Sequence, residues 1–579
     1  MKISVIQFWL LITLLASTVT ASHRTRSIVD PKLTNTISLS RVFPTERNPS
    51  VTFDSSIIAS PVLDVSQDQA LIILPVSNGQ IAALDSKSGR LVWDVHVPTS
   101  GNQSAQLIST PVKVNNKLVV LYQCVENGIR TSHRLAVLDL QQKQWDTTFP
   151  ILELSAEVMA ADGVSTVNFN PPTAFSHSSV KHANKPGFDW GLIYAAFGNS
   201  GDTQPYHGWL FEIDLDAWHQ HGSSQAISHV LLTTPEAECP VTMEYGNQEM
   251  ICGGGLWTPA GPQLYPTEGN AQRFELFIAT GNGQIDLDRH DYANTVMRLQ
   301  PGLNFDAGCD KQLCQNFNPG QPDQACMASC KNLFIPRPAE GNPPLKPSNK
   351  ECDNKSFWEC LAWMDYDLGA SAPLKFTLKN GQSVLIQAGK DGAVYLIDAN
   401  HLGTQYDRLP IVALCGTPTD LCKASWMGMI VTQPVLTYIE DAPVVIVPTF
   451  VPDQSHAAGV VALKVIEEEG KPKLMRFWQF PNPSTNKAIQ TFRNHPSLPV
   501  ITTTGSNNHT VVWIIDIATH GTLYGIRVLD GAVVAEQTLL GAGRQLATPL
   551  IYNETLYLPS IMPTTGKSFV EAYRMESLQ

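Results

Sequence analysis

Five side chains in the middle of the chain are of types that can do chemistry together. They lie in four short segments: Trp257 in "CGGGLWTPAG", Asn282 in "LFIATGNG", Asp365 and Asp367 in "LAWMDYDLGASAP", and Lys390 in "QAGKDGAVYLID". A tryptophan ring offers a platform for a flat ligand, and amide and carboxylate oxygens suit a hard metal cation. An aspartate shielded from water can accept a proton, and a lysine can partner an electron-rich oxygen. This chemistry requires a fold that brings the four segments to one place.

Other motifs that could bind a metal or act as a nucleophile are weaker. The segment "DLDRHD", with Asp286, Asp288 and Asp291, has the oxygen density of a calcium loop but not the spacing of an EF-hand. No H-E-x-x-H, no G-x-S-x-G elbow and no phosphate-binding loop occurs in the sequence. Three histidines lie near acidic residues without a zinc-ligand pattern: His207, His219 and His221.

The charge balance and the first residues bear on location. Lys and Arg number 39 against 52 Asp and Glu, for a net charge of −13, and no basic block occurs. Neither nucleic acid nor an anionic membrane surface is therefore expected as a partner. Lys2 is followed by "ISVIQFWLLITLLA" and "STVTAS", which predicts a signal peptide over residues 1–21 and a mature chain from Ser22. No other stretch reaches membrane-spanning length, so we expect an exported protein, periplasmic or secreted.

The eleven cysteines fit export. Pairing within a group of six and within two near-neighbour pairs, Cys239 with Cys252 and Cys415 with Cys422, accounts for ten. It leaves Cys124 alone in the strand-like "KLVVLYQC", where we expect it to be buried and unreactive. Zinc is the alternative to disulfides for the remaining six, but an oxidising compartment favours disulfides. No C-x-x-C-H occurs, so no covalently attached c-type haem is expected. The six lie close together: Cys309, Cys314, Cys326, Cys330, Cys352 and Cys360.

The elements that must position these residues are predicted from a repeat. "NGQIAALDSKSGRLVWDV", residues 78–95, is typical of two strands joined by a turn. Asp85 can bond its own backbone, Gly89 can adopt a positive φ, and Trp93 can fill one face of a sheet. Each copy starts with a strand that a proline leads. The eight leading prolines are Pro61, Pro111, Pro172, Pro259, Pro373, Pro434, Pro499 and Pro549.

The repeat predicts an all-β fold. We assign the third strands as "QIAALD", "RLAVLD", "WLFEID", "NTVMRL", "AVYLID", "GVVALK", "TVVWIID" and "SFVEAY". Tandem sheets at this interval are typical of a β-propeller, here with eight blades of four antiparallel strands, or seven if one copy is misassigned. The last copy lacks a fourth strand. We expect residues 35–43 to supply it, closing a single domain over residues 22–579.

One repeat is much longer than the others. Its excess, about residues 303–363, crosses six cysteines and the proline-rich "PRPAEGNPPLKPSNK". This composition predicts a disulfide-stapled insertion. It is either a cap over the axial funnel or a surface ornament.

The repeat resembles that of the pyrroloquinoline quinone (PQQ) propellers. Their consensus, G-x-I-x-A-L-D-x-x-x-G-x-L-V-W, matches residues 79–93, and the general repeat covers nearly the whole mature chain. This superfamily includes the eight-bladed quinoprotein alcohol dehydrogenases and non-enzymatic relatives that serve as scaffolds. The match is specific for the fold but does not establish catalysis.

The resemblance implies a role for each central residue. Trp257 would form the floor under the quinone, and the cation of Lys390 would reach the quinone carbonyls. Asn282 would hold the metal ion, calcium or a lanthanide, with Asp367 as a further ligand in lanthanide-using members. Asp365 would be the catalytic base. Four features in this order are a stronger signal than any one of them.

The chain also departs from the dehydrogenase pattern. The stretch "FGNSGDTQPYHGWLFEID" has no glutamate metal ligand at its turn, where Asp202 is the available substitute. The chain has no pair of adjacent cysteines, and its W-M-D-Y-D differs from W-D-x-D. Each site residue also has a structural alternative. Trp257 can fill space between blades, Asn282 can belong to an ordinary turn, and Lys390 can be an exposed hairpin corner.

Two functions follow from these observations. One is an exported quinoprotein oxidoreductase that oxidises an alcohol or sugar-like hydroxyl and passes electrons to a soluble cytochrome or a membrane quinone. The other is a non-catalytic propeller that binds a protein or polymer ligand in the cell envelope or outside the cell.

Overall fold

The computed structural model describes fourteen stretches of the chain. Their residues form eight antiparallel sheets, called blades 1 to 8 in chain order. The predicted signal peptide, residues 1–21, lies outside this part of the chain. The stretches are 28–29, 37–66, 69–199, 201, 205–236, 252–267, 270–338, 352–411, 430–450, 459–481, 496–504, 510–518, 520–544 and 546–577.

Blades 1 to 4 come from the first part of the chain. Blade 1 has strands Val62–Val65, Ala70–Pro75, Gln80–Asp85 and Leu91–His96. Blade 2 has a divided first and a divided fourth strand: Ser104–Gln106 with Val112–Val114, Lys117–Glu126, Ile129–Asp139, and Gln144–Trp145 with Leu152–Glu153. Blade 3 consists of Ala174–Phe175 with Lys181–Ala183, Leu192–Asn199, Trp209–Asp214 and Ile227–Leu232. Blade 4 consists of Gln263–Thr267, Asn270–Ala279, Val296–Leu299 and Leu333–Phe334.

Blades 5 to 8 complete the set. Blade 5 has strands Leu374–Thr377, Ser383–Ala388, Ala393–Asp398 and Gln405–Pro410. Blade 6 has Val435–Ile439, Ala442–Thr449, Gly459–Glu468 and Lys471–Phe480. Blade 7 has Val500–Thr504, Val511–Asp516, Thr522–Arg527 and Val533–Thr538, with Ile28–Val29 parallel to the first. Blade 8 has Ala542–Gly543 with Leu550–Tyr552, Thr555–Ile561, Ser568–Ser577 and Ile37–Phe43.

The other elements are short. Two small hairpins pair Glu157–Met159 with Thr166–Asn168 and Ile285–Asp286 with Asp291–Tyr292. The α-helices among the described residues are Leu215–His221, Gln324–Ser329 and Phe357–Trp363, with a 3-10 turn at Ser223–Gln225. In the part of the chain that is described, no helix is long and apolar enough to cross a membrane.

Apolar packing between the sheets closes them into a ring. Each of eight buried clusters joins two consecutive blades, from blades 1 and 2 through to blades 7 and 8 and back to blade 1. In the closing cluster, Phe43 and Tyr557 of blade 8 pack with Ile72 and Leu84 of blade 1. The prediction of an eight-bladed β-propeller is confirmed. Each of the eight leading prolines lies shortly before a first-strand segment of its blade.

The closing strand is also as predicted. Ile37–Phe43 pairs antiparallel with Ser568–Ser577, with Ile37 opposite Ser577 and Ser40 opposite Arg574. Strand Ile37–Phe43 is thus the fourth strand of blade 8, although it precedes blade 1 in the sequence. It covers the edge of Ser568–Ser577, which would otherwise be unpaired.

The turn after the third strand explains the repeated aspartate and glycine. Asp85 Oδ1 accepts hydrogen bonds from the backbone N–H groups of Lys87 and Ser88, at 3.2 and 2.8 Å. Gly89 has φ +69°, and a Cβ atom there would lie 2.6 Å from the ring of Phe43. The motif therefore joins turn formation to ring closure. The same aspartate contact, to backbone N–H groups two and three residues later, recurs at Asp139, Asp214 and Asp398.

One strand assignment is wrong. The segment "TVVWIID" forms the second strand of blade 7, Val511–Asp516, and the third strand is Thr522–Arg527. The second strand, VVWIID, is a buried apolar run that ends in an aspartate, as the third strands of several other blades do. The local pattern therefore does not separate the two positions.

The cysteine-rich segment is stapled by disulfides, as expected. The bonds are Cys309–Cys330, Cys314–Cys326 and Cys352–Cys360. Leu333–Phe334, within the predicted insertion 303–363, serves as the fourth strand of blade 4. Cys252 is disulfide-bonded, and Cys124 is buried with a free thiol. Three other cysteines lie outside the described residues: Cys239, Cys415 and Cys422.

Replacing Gly89 by Ala tests the link between the repeat and ring closure. Positive φ alone costs a non-glycine residue about 1 kcal/mol, and the contact with Phe43 adds overpacking. Gly101 provides the control, since it has φ +60° and an added Cβ would meet nothing within 4 Å. In urea denaturation, Gly89→Ala should lower the free energy of unfolding by at least about 1 kcal/mol more than Gly101→Ala. Equal losses would show that Phe43 does not press on this turn.

The burial of His133 predicts that the folded protein loses stability at acid pH. It is 1% exposed between Phe169 and Phe197, and burial lowers its pKa from 6.5 to about 4. Between these values the unfolded chain binds a proton that the folded chain does not. Stability is therefore full above pH 6.5 and falls as the pH drops toward 4, by up to about 3 kcal/mol from this group.

The measurement is the unfolding free energy as a function of pH. His133→Gln should make the profile less steep between pH 6.5 and 4, whereas His96→Gln, on the exposed outer strand of blade 1, should leave the slope as in the parent. A His133→Gln profile parallel to the parent's would contradict the assignment.

Candidate functional site

The blade topology brings the four segments together. Trp257 precedes the first strand of blade 4, and Asn282 follows its second strand. Asp365 and Asp367 precede the first strand of blade 5, and Lys390 lies in the turn between its second and third strands. In an antiparallel blade, the start of strand one, the end of strand two and the start of strand three lie at one end. All five residues therefore meet at one end of the seam between blades 4 and 5.

Lys390 is at the centre of this cluster. Its Nζ lies 2.9 Å from Asp365 Oδ2 and 3.4 Å from Asp367 Oδ2. The same atom lies 4.6 Å from the centroid of the Trp257 ring. Lys390 is only 6% exposed, so its interpretation as an exposed hairpin corner is wrong. A buried ammonium group is held between two carboxylates and an aromatic face.

Asp367 is the most deeply buried member. It is fully inaccessible, and its Oδ2 accepts hydrogen bonds from Trp257 Nε1 at 3.2 Å and from the backbone N–H of Asn282 at 3.3 Å. Burial raises the pKa of this carboxyl group, and the charge of Lys390 opposes the rise. Its Oδ1 has no hydrogen-bond partner within the described stretches. A buried carboxylate oxygen without a donor suits a cation.

The glycine-rich segment holds Asn282. The Gly254 N–H donates to the Asn282 carbonyl oxygen at 2.9 Å, and a Cβ atom on Gly253 would lie 1.9 Å from that oxygen. The side-chain Oδ1 of Asn282 accepts a hydrogen bond from Tyr206 Oη at 3.0 Å. The backbone of "CGGG" therefore packs against Asn282, which no larger residue at position 253 would allow.

The stapled segment leads directly into the site. Helix Phe357–Trp363 starts with a capping box between Ser356 and Glu359 and ends two residues before Asp365. Asp365 has φ +54°, a left-handed conformation that is uncommon outside glycine. Phe357 lies 5.4 Å from the guanidinium of Arg408 on blade 5. The stapled helix is thus packed against the blade that carries Lys390.

Solved structures with this architecture include quinoproteins. A quinohemoprotein alcohol dehydrogenase, ADHIIG from Pseudomonas putida HK5, matches with 12% identity and a TM-score of 0.52, over 96% of this chain and 79% of its own. A europium-containing methanol dehydrogenase matches with 11% identity and a TM-score of 0.54, over 96% of each chain. This chain has the fold of the quinoprotein dehydrogenases. No protein-family model and no curated protein matches it.

The quinoprotein fold confirms the resemblance at the level of architecture. At 11 and 12% identity these structures do not establish a cofactor, a substrate or a reaction for this chain.

The donor set fits a hard cation beside a flat ligand. Oxygen atoms come from Asp365, Asp367 and Asn282, and the indole of Trp257 lies next to them. Asp367 Oδ1, which accepts no hydrogen bond from the described residues, is the observation that favours a cation. Asp202, the substitute for the missing glutamate, lies outside the described residues.

Two neighbours were not identified from the sequence. The His177 ring lies 5.9 Å from Trp257, nearly perpendicular to it, and burial lowers the pKa of His177 to about 4. Its Nε2 has no hydrogen-bond partner in the described part of the chain. Tyr206 donates to Asn282. Both come from blade 3 and carry no spacing motif, so only the blade order could have indicated them.

Three residues of the weaker motifs and their surroundings make structural contacts. Asp286 Oδ1 accepts from the backbone N–H groups of Asp288 and Arg289, as in a turn. Arg289 bonds to Glu236 at 2.6 Å. His207 Nδ1 lies 2.7 Å from the carbonyl oxygen of Thr234.

Proposed function

We propose that this protein is an exported quinoprotein-type oxidoreductase that oxidises an alcohol or sugar-like hydroxyl. The observation that carries the proposal is the position of Lys390. Its Nζ lies 2.9 Å from the proposed base Asp365 and 4.6 Å from the proposed floor Trp257. Four segments that are unrelated in sequence supply the residue types that a bound PQQ and its metal ion require, in one buried cluster.

Each residue has a role in the proposal. The indole of Trp257 stacks under the flat cofactor, and the ammonium of Lys390 pairs with its oxygen atoms. Asn282 and Asp367 offer oxygen ligands to calcium or a lanthanide, and Asp202 is assigned as a further ligand. A quinone held by these residues would supply a hydride acceptor, and a metal ion held by Asn282 and Asp367 would supply a Lewis acid.

Asp365 is proposed to move the proton. Its side chain is 12% exposed, whereas that of Asp367 is 1% exposed, so Asp365 is the carboxylate that a substrate hydroxyl can approach. Oδ2 of Asp365 would accept the hydroxyl proton while the carbon loses its hydride. In the structure, Lys390 Nζ donates to that oxygen at 2.9 Å, which orients the carboxylate.

Export and electron transfer complete the proposal. Residues 1–21 are assigned as a signal peptide, which places the mature chain in the periplasm or outside the cell. The disulfides among Cys309, Cys314, Cys326 and Cys330 support an oxidising compartment. Because the sequence lacks C-x-x-C-H, electrons would leave to a separate cytochrome or a membrane quinone.

Cofactor binding tests the proposal directly. Purified protein is titrated with PQQ in the presence of calcium, and then of a lanthanide, while tryptophan fluorescence and quinone absorbance are followed. We expect micromolar binding that Asp365→Ala abolishes and that Trp257→Ala weakens by about tenfold or more, through lost stacking and apolar contact. Trp145→Ala, on the outer strand of blade 2, is the control and should bind like the parent.

Activity is measured with the loaded protein, a panel of alcohols and sugars, and an electron-accepting dye. A flat titration under every metal condition would contradict the proposal. It would favour the non-catalytic propeller, whose ligand is a protein or a polymer.

A further inference from the structure

A single cation already occupies the space between the two aspartates. Lys390 Nζ contacts Asp365 Oδ2 and Asp367 Oδ2 at 2.9 and 3.4 Å and lies over the Trp257 ring at 4.6 Å. We propose that Lys390 is a built-in competitor for the metal ion, and that it must leave the aspartates before a metal can bind them.

The first argument is electrostatic. Two carboxylates that face one point at low exposure repel each other unless a positive charge lies between them. Lys390 supplies that charge, and the side chains of all three residues are nearly inaccessible, at 7, 12 and 1% exposure. A metal ion added beside the ammonium would place two cations against the same Oδ2 atoms in a poorly solvated space. The carboxylates can therefore hold the ammonium or the metal, but not both in this arrangement.

The second argument concerns the aromatic floor. The ammonium that neutralises the aspartates also covers the face of Trp257. Lys390 thus occupies part of the cation site and part of the stacking site at once. Its backbone N–H donates to the Asp367 carbonyl oxygen at 2.9 Å, which anchors the main chain, so release requires only that the side chain swing away. A lysine side chain has enough rotatable bonds for such a movement.

Because Lys390 competes with the metal ion, the metal ion and a flat ligand that pairs with the ammonium should bind cooperatively. A metal alone must displace Lys390 without giving the ammonium a new partner. A flat ligand that carries anionic or carbonyl oxygens provides that partner. Metal and ligand should therefore each strengthen the binding of the other by the same factor. This second step depends on the proposed function, whereas the competition itself depends only on the cluster.

The competition is tested by terbium luminescence. Tb³⁺ bound next to Trp257 is sensitised by the indole, so the apo protein can be titrated without any cofactor. We expect Lys390→Met to bind Tb³⁺ about tenfold or more tightly than the parent, because the resident cation is gone. Adding Asp367→Asn to Lys390→Met should abolish the gain, which separates this site from acidic surface sites.

Lys375 offers a matched control. Its side chain is 8% exposed, its Nζ lies 2.6 Å from Glu275 Oε2, and it lies 5.7 Å from the Phe277 ring in the same seam. Lys375→Met therefore removes a buried, ion-paired, ring-facing lysine outside the cluster, and its Tb³⁺ affinity should equal the parent's. Thermal melting checks folding. If Lys390→Met does not fold, Lys390→Gln, which keeps a donor for Asp365, carries the same comparison.

The outcomes separate the two proposals. Equal Tb³⁺ affinity in the parent and the Lys390 variants overturns the competition, even if PQQ binds. A gain in Lys390→Met without any PQQ binding supports the competition and contradicts the proposed function. In the parent, PQQ should raise the Tb³⁺ affinity and Tb³⁺ should raise the PQQ affinity by the same factor. In Lys390→Met this coupling should shrink, and an undiminished coupling would overturn the role of Lys390 in it.

Discussion

The seam between blades 4 and 5 is the contact on which the candidate site depends. Phe334 and Tyr395 meet across it with their ring centroids 5.6 Å apart, and Tyr265 Oη donates to the Pro373 carbonyl oxygen at 3.0 Å. Trp257 and Asn282 come from one side and the two aspartates and Lys390 from the other. Because each blade also packs on its other neighbour, the closed ring limits how far this seam can open. Ring closure by strand Ile37–Phe43 therefore also restrains this seam, because every blade packs on both of its neighbours.

Much of the fold could be predicted from local sequence, because a propeller repeats its local rules. A proline lies shortly before a first-strand segment of each blade, and a turn like that formed by Asp85 and Gly89 follows the third strand in several blades. The closing strand could be predicted by counting strands, because the last repeat lacked a fourth strand. The order of strands in blade 7 could not be predicted in this way, because its second strand, Val511–Asp516, is apolar and ends in an aspartate, as the third strands of several other blades do. Local pattern determines that a strand exists better than it determines the strand's place in the sheet.

The candidate site could be predicted only in part, because the sequence indicates residue types but not the contacts between blades. Resemblance selected Trp257, Asn282, Asp365 and Lys390, and the structure places them in one cluster. It did not indicate that Lys390 would bond to both aspartates, since the turn that carries it looks like any exposed hairpin corner in sequence. His177 was missed because its importance comes from contact with Trp257 across two blades. Contacts between blades depend on ring geometry, which no short segment contains.

The charge of Lys390 balances the buried carboxylates of the cluster. A buried carboxylate such as that of Asp367 is costly unless a cation or several donors face it. Here one ammonium serves Asp365 and Asp367, and Trp257 Nε1 adds a donor. These contacts offset part of the cost of burying the two carboxylates. Asp365, Asp367 and Lys390 therefore form one electrostatic unit, and a change to any of the three alters the environment of the other two.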